Sequence, residues 1–491
     1  MGFKPSKYQQ AIYDFITNED GNLVIEAVAG SGKSTTIVNA LNIIPSDTTV
    51  LFLAFNKSIV DELKLKIGEK PNVTIKTLHS LGSSICYKNF RSSINADKYR
   101  KYIEKEIKED RFKPTEKLGK DEFLNWRANI RQMVDLIRLN LVKSEAEAVD
   151  VAKKYGIVLE SNEVELAMKV VKWGITDVTE IDFTDMIYFP NVKNVEVPTY
   201  DIVFIDECQD LNTAQRELFL KCVDPDFGRF VAVGDGDQLI YGFAGSDDES
   251  FKKLKNQPNT TLLPLSICYR CDRDIIEKAK KLVPQIEARD DAPEGLIVEN
   301  ATIDDIKDGD MVLCRVTAPL VELCSKFISK GVKAYVKGTD TGKALADMLR
   351  RTDKENVDDA LEELSHSLDK TIEKLCKLMG YTPEDATQTS QYQTLMDKID
   401  AIKNVCAGIE KTEDAIKKID DIFSDDNGVG ICLCTVHKAK GLECDRVFIL
   451  QKNKFYLPWV MNNKMYAKQE RNLEYVAITR AKKYLGYIDS I

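Results

Sequence analysis

Short apolar runs, each ending in glycine or a polar cluster, punctuate this chain. Leu23-Val24-Ile25, Val50 to Phe55, Val73 to Lys76, Asp201 to Ile205 and Phe230 to Val233 read as strands of a parallel sheet. Such strands are covered on both faces and lose the period-two alternation. Met311 to Cys314, Lys333 to Val336, Gly430 to Cys434 and Arg446 to Leu450 repeat the pattern further on. Helical spacing fills the intervals: Pro5 to Ile12 leads into a short amphipathic helix, and Thr36 to Leu41 continues as a helix from a glycine turn. The stretch Ser84 to Ile181 is helical and highly charged, with few strand signals. From Thr339 to Asp426 the pattern is helical again. Leu361, Leu364, Leu368, Ile372 and Leu375, at gaps of three or four, keep one apolar face. Gln469 to Ala481 is helical in pattern. The predicted class is α/β, parallel sheets flanked by helices, with two inserted helical segments.

Composition narrows the class without changing it. The 491 residues allow roughly three or four domain-sized units, and 43% hydrophobic with 30% charged residues is the balance of a soluble globular protein. No run of about 18 apolar residues is present to cross a membrane. The first residues lack the apolar core of a signal peptide, so the expectation is cytoplasmic, at the nucleoid or in a host cytoplasm if phage-encoded. Met1-Gly2 with Ser6 fits an N-myristoylation pattern in form only, since no polybasic patch accompanies it. The twelve cysteines are scattered, several inside apolar runs, and read as buried reduced thiols. The Cys268 to Cys271 pair lacks a second pair at zinc spacing, and three histidines argue against a histidine-rich metal centre. A net charge of −10 would ordinarily count against nucleic acid, but binding depends on where basic groups lie. Lys88 to Lys143 holds 15 Lys/Arg against 9 Asp/Glu, a run that is either a solvated helical face or a binding surface.

Candidate chemistry gathers where the apolar runs end. Ala27-Val28-Ala29-Gly30-Ser31-Gly32-Lys33-Ser34-Thr35 joins a strand to a helix, the setting of a phosphate loop. Glycine-turn amides and the helix N-terminus there make an anion site, and lysine adds a point charge. Ser34 would place its hydroxyl on Mg²⁺. Ala27 stands where the strict G-x-x-x-x-G-K-[ST] pattern has its first glycine. Asn56-Lys57-Ser58 and Thr77-Leu78-His79-Ser80 end two strands at the edge where α/β sheets bind ligands. Asp206-Glu207 ends another. Adjacent acids after a strand either complement a helix N-terminus or serve metal-assisted phosphate chemistry, one holding Mg²⁺ and one orienting water; the loop upstream favours the second. Gly234-Asp235-Gly236-Asp237-Gln238 ends the next, close to Tyr241 and Phe243, aromatics able to stack on single-stranded bases or to fill a core.

Together with Leu265 to Arg270, Cys434 to Glu443 and Gln469 to Ala481, these stretches in this order resemble the signature motifs of superfamily 1 helicases of the UvrD/Rep/PcrA type. Ala54-Phe55-Asn56-Lys57-Ser58 and Thr77-Leu78-His79-Ser80-Leu81 are similar to the branch that includes the F-box DNA helicase and small phage-encoded relatives. The resemblance runs from about Pro5 to Arg480.

It implies two RecA-like P-loop NTPase domains binding ATP and Mg²⁺. Gln9, with Gln10 as the substitute, would read adenine; Ala29, Gly30, Ser31, Gly32, Lys33, Ser34 and Thr35 would hold phosphates and, through Ser34, the metal. By the same resemblance Asp206 holds Mg²⁺, Glu207 activates water, Gln238 senses the γ-phosphate, Tyr269 stacks on adenine and Glu443 contacts ribose. Arg270 is the first γ-phosphate arginine and Arg480 the finger supplied by the second domain. Phe55, Asn56, Thr77, His79, Tyr241, Phe243, Thr435 and His437 match DNA-contacting or coupling positions. Three positions depart from the family wording: Ala54-Phe55 for Phe-Thr, Ala244 for arginine and Gly236 for an acid. Splitting the motifs gives domain 1A over 1–83 and 182–264, insertion 1B over 84–181, domain 2A over 265–338 and 427–491, and a reduced insertion 2B over 339–426. The implied function is a monomeric ATP-dependent helicase on single-stranded DNA and single-strand/duplex junctions, moving 3′ to 5′, with no membrane partner and with replication or recombination proteins as candidate partners. A protein-stripping translocase, or an ATP-gated single-strand-binding module with weak motor activity, stand as alternatives.

Overall fold

The computed structural model describes residues 4–68, 70–159, 162–240, 248–425, 430–456 and 464–491. Tyr241, Phe243 and Ala244 lie outside them. The chain divides into two compact units, Met1–Ala27 with Gly32–Ser266, and Val28–Ser31 with Ile267–Ile491.

The first unit is built on a six-stranded parallel sheet in the order Val73–Thr77, Val50–Ala54, Ile202–Ile205, Arg229–Gly234, Asn22–Ala27 and Thr260–Leu265. The Val50–Ala54 and Ile202–Ile205 strands are buried at every position, the expected cost-free placement for continuous apolar runs. Thr260–Leu265 has no such signature. Thr261, Leu262 and Pro264 are exposed, as an edge strand tolerates, and the apolar pattern did not mark it.

Inside this unit, residues 84–181 form helices around one apolar cluster. On the Lys120–Leu139 helix, Trp126, Ile130, Met133, Val134 and Ile137 follow the helical repeat and are all buried. A short parallel pair, Ser93–Ile94 with Glu180–Ile181, interrupts the helical expectation and closes the segment's two ends together. The basic run is partly interior. Lys98 and Arg138 are buried, and both bind Asp185, at 2.9 Å each; Arg138 also takes Asp182 at 2.7 Å, and Tyr99 donates to Asp185 Oδ1 at 2.6 Å. Arg100 pairs with Asp97 on the surface, and the exposed Arg111 pairs with the buried Glu106. Two of the fifteen basic residues are therefore core ligands of a carboxylate, not surface charge.

The second unit carries a seven-stranded parallel sheet: Leu296–Val298, Ala481–Ile488, Cys444–Leu450, Met311–Cys314, Ile431–Thr435, Ala334–Lys337 and Phe423–Ser424. The helix expected to Ala481 ends at Ile478, because Ala481 begins a strand that pairs with Cys444–Leu450. The helices of 339–422 share one apolar core with this sheet: Leu345, Leu349, Leu364, Ile402 and Ile419 cluster with Val312, Val336 and Leu433. Asp397 ties them further, accepting from the backbone N of Thr317 and Ala318, each at 2.9 Å, ahead of the Ala318–Ser329 helix. All twelve cysteines are free thiols.

Asp185→Ala leaves the buried Lys98 without its carboxylate while Arg138 keeps Asp182, and an uncompensated buried cation of this kind costs about 3–5 kcal/mol. Thermal unfolding should show an early transition in this variant, whereas Lys113→Ala, which removes an exposed pair with Asp110, should leave the melt unmoved.

Candidate functional site

The loop after Asn22–Ala27 turns through two left-handed glycines, Gly30 at φ +67° and Gly32 at φ +79°, a conformation that costs glycine little. Gly32 precedes the Lys33–Ile43 helix, whose first turn has neither an acid nor a side-chain cap, so its amides remain available to an anion. Ser31 is buried, and its Oγ has no hydrogen-bond partner among the described residues. Ser34 and Thr35 are exposed on the first turn. Of the two candidate glutamines, Gln9 is buried and donates through Nε2 to Thr36 Oγ1 at 3.1 Å, while Gln10 is exposed and bonds Asp14. The Ser6–Gln9 capping box that starts the Lys7–Asn18 helix fixes Gln9 in place, its Oε1 accepting from Ser6 N at 3.0 Å.

Parallel topology sets Arg229–Gly234 between Asn22–Ala27 and Ile202–Ile205, so the loops after all three open at one sheet edge. Lys33 Nζ lies 2.7 Å from Glu207 Oε1. Burial alone would lower the Lys33 pKa, but the carboxylates of Glu207, Asp206 and Asp235 outweigh it and hold the ammonium above the usual lysine range. Glu207 itself stands at φ +51°, a left-handed backbone uncommon for a residue with a side chain, and its amide donates to Asp206 Oδ1 at 2.9 Å. Asp235 is buried and pushed up to about 7 by that burial, against the pull of Lys33 and of Gln238, whose Nε2 donates to Asp235 Oδ2 at 2.7 Å. Gln209 joins Glu207 to this turn, accepting from Asp235 N at 3.0 Å. Neither Gln209 nor Asp235 was singled out from the sequence. Both stand within the polar clusters that end these strands, where strand adjacency is the missing signal.

Phe55, 54% exposed, and Asn56 follow Val50–Ala54. Asn56 caps the Lys57–Ile67 helix through Ile59 N, and Thr77 caps Leu78–Phe90 through Ser80 N, with His79 exposed beside it. These positions share the sheet edge with the loop but follow Val50–Ala54 and Val73–Thr77, which Ile202–Ile205 and Arg229–Gly234 separate from the loop's strand. A capping role accounts for Asn56 and Thr77 locally.

In the second unit, the loop residues Val28–Ser31 group with Tyr269 and Tyr475: Tyr269 N donates to Gly30 O at 2.8 Å, and Ala29 N to Tyr475 Oη at 2.9 Å. A Cβ on Gly30 would fall 2.6 Å from Arg270 Cβ, a second reason for glycine there. Glu443 takes Arg270 Nε at 2.6 Å and Lys482 Nζ at 2.6 Å; burial would raise its pKa, and these two cations lower it. Arg480 is buried, its Nε donating to Val476 O at 3.1 Å and its Nη1 to Leu442 O at 3.0 Å. Thr435 ends the Ile431–Thr435 strand, and His437 two residues later is lowered to about 3 by burial and Arg315, so it is neutral at ordinary pH.

A family profile described as the UvrD/REP helicase N-terminal domain matches residues 8–259, just over half of the chain. The chain belongs to the UvrD/REP helicase family. A second profile, the UvrD-like helicase C-terminal domain, matches residues 430–488 of this family member. Among curated relatives, the ATP-dependent DNA helicase PcrA of Staphylococcus epidermidis is 24% identical over 352 residues, covering 68% of this chain and 46% of that protein. The ATP-dependent DNA helicase Rep of Buchnera aphidicola (subsp. Schizaphis graminum) is 23% identical over 290 residues, 54% of this chain and 42% of its own. The chain thus aligns with less than half the length of each. Among the described residues no helix is long and apolar enough to cross a membrane.

Because Asp235 is raised above its ordinary value of 3.8, the folded protein holds that proton longer than the unfolded chain, and stability is lost as pH rises from about 4 through about 7. Asp235→Asn removes this term: its melting temperature should match that of the parent near pH 4 and exceed it by a margin that widens to pH 7.5.

Proposed function

We propose that this chain is an ATP-dependent motor on single-stranded DNA that unwinds duplex at junctions, moving 3′ to 5′. The single observation that carries the catalytic half is the pairing of Lys33, at the first position of the loop helix, with Glu207 beside Asp206 at 2.7 Å. A lysine at a glycine loop and two acids just after a central parallel strand are the parts that ATP hydrolysis requires, since phosphoryl transfer is catalysed mainly by positioning and charge neutralisation. The names of the relatives, ATP-dependent DNA helicases, support the same reading.

The residues fit a nucleotide and a metal. The orphaned Ser31 hydroxyl and the uncapped helix amides suit phosphate oxygens, and Asp206 with the exposed Ser34 hydroxyl supplies the hard oxygen donors Mg²⁺ prefers. The metal, when bound, neutralises charge on the transferring phosphoryl group. Lys33, drawn from Glu207 towards the outer phosphates, would free that carboxylate to take a proton from water. Gln9 is assigned to the adenine, Tyr269 to stacking on it and Glu443 to the ribose. Arg270 and Arg480 are assigned to the γ-phosphate and Gln238 to its sensing. Phe55, Asn56, Thr77, His79, Thr435 and His437 are assigned to the DNA track, with the domain limits of 1A, 1B, 2A and 2B as set out from the motifs. Partners are single-stranded DNA and its junctions with duplex, and replication or recombination proteins; a monomer suffices for this chemistry.

Steady-state ATPase with and without single-stranded DNA tests the reading. The intact chain should be strongly stimulated, and Glu207→Gln should lower the stimulated kcat by about 100-fold or more while leaving nucleotide binding in place. Slow, unstimulated hydrolysis in a chain that binds DNA would instead support ATP-gated binding without a motor. On tailed duplexes, only those with a 3′ single-stranded tail should be unwound.

A further inference from the structure

Gln209 is fully buried, and both ends of its carboxamide are engaged. Nε2 donates to Glu207 Oε2 at 2.5 Å, and Oε1 accepts from Asp235 N at 3.0 Å. Glu207 is thereby held at both oxygens, because its Oε1 faces Lys33 Nζ at 2.7 Å. Asp235 in turn holds the Gly236–Gln238 turn, accepting from Asp237 N at 3.0 Å through Oδ1 and from Gln238 Nε2 at 2.7 Å through Oδ2. One side chain therefore connects the acid after Ile202–Ile205 to the turn after the neighbouring strand, Arg229–Gly234.

The backbone is shaped around this bridge. A Cβ on Gly234 would fall 2.5 Å from Gln209 Oε1 and 2.7 Å from Cys208 Sγ. Gly234 is absent from the residues with positive φ, so the approach of these side chains, not the backbone conformation, requires glycine there. A buried carboxamide hydrogen-bonded at both ends has little slack, and displacement at one end moves the other. It is also neutral, so it orients Glu207 without competing with Lys33 for its charge.

We propose that Gln209 is a positioning residue that fixes the Glu207 carboxylate and couples it to the Asp235–Gln238 turn, so that movement of that turn on binding single-stranded DNA re-aims the acid. The inference rests on the reading of Glu207 as the water-activating acid in a DNA-stimulated ATPase. Without the carboxamide, Glu207 Oε2 loses the Gln209 bond while Oε1 keeps its pair with the Lys33 ammonium.

Gln209→Met keeps length and burial and removes both hydrogen bonds. In the full chain, ATPase measured across ATP concentration with and without single-stranded DNA should show a DNA-stimulated kcat reduced about tenfold or more. KM for ATP and the affinity for a fluorescent ATP analogue should stay within about twofold. A DNA-stimulated kcat equal to that of the parent overturns the proposal. So does a parallel loss of nucleotide binding and of both rates with an unchanged melt, which is the mark of a merely structural role. If Gln209→Met melts early, Gln209→Glu decides: it keeps length and acceptor but sets a second carboxylate against Glu207, and the same selective loss of stimulated kcat is expected. An intact parent chain without DNA stimulation would overturn the functional reading itself, and this coupling with it.

Discussion

A lysine ammonium enclosed among three carboxylates is the constraint on which the first unit depends. Lys33 pairs with Glu207 at 2.7 Å, and the charges of Asp206 and Asp235 add to it, so that together they hold the ammonium above the usual lysine range against burial. The compensation is incomplete at Asp235, whose burial still drives its carboxyl up to about 7. Such mutual dependence concentrates electrostatic free energy where a polyanion with its own metal would redistribute it. In the proposed function, a triphosphate would offer Lys33 a new partner, and Glu207 would lose the ion pair that occupies one of its oxygens.

Sheet topology creates that enclosure. Each participating loop follows a parallel strand, so each opens at the carboxyl edge, and the order of the three central strands sets the Asp235 turn between the phosphate loop and the acid pair. Gln209 closes the remaining gap with two hydrogen bonds. Elsewhere in the same unit, Asp185 binds Lys98, Arg138 and Tyr99 inside the helical segment, where a carboxylate organises helices rather than chemistry.

The second unit shows the opposite arrangement of charge. Arg270 and Lys482 share Glu443, and Arg480 is satisfied by backbone carbonyls of its own unit. These arginines are held by local partners in the described structure, so a role at phosphate would exchange those partners for the nucleotide. The helices of 339–422 contribute directly to this unit's core and to the cap of Ala318–Ser329 through Asp397.

Much of this was legible in the residues alone. Continuous apolar runs marked the central strands because burial on both faces leaves no polar positions, and glycine, lysine and paired acids at their ends marked the loop and the catalytic candidates. The family resemblance then named roles for single positions, and the profile matches support the family. Pattern could not show Thr260–Leu265 or the strand from Ala481, whose pairing depends on partners far along the chain. Nor could it show that Lys98 and Arg138 are interior, since charge counting assigns cations to the surface. Above all, the link from Glu207 through Gln209 to Asp235 and Gln238 belongs to tertiary structure alone. It exists because Ile202–Ile205 and Arg229–Gly234 are neighbours in the sheet, and a linear sequence carries no record of which strands lie side by side.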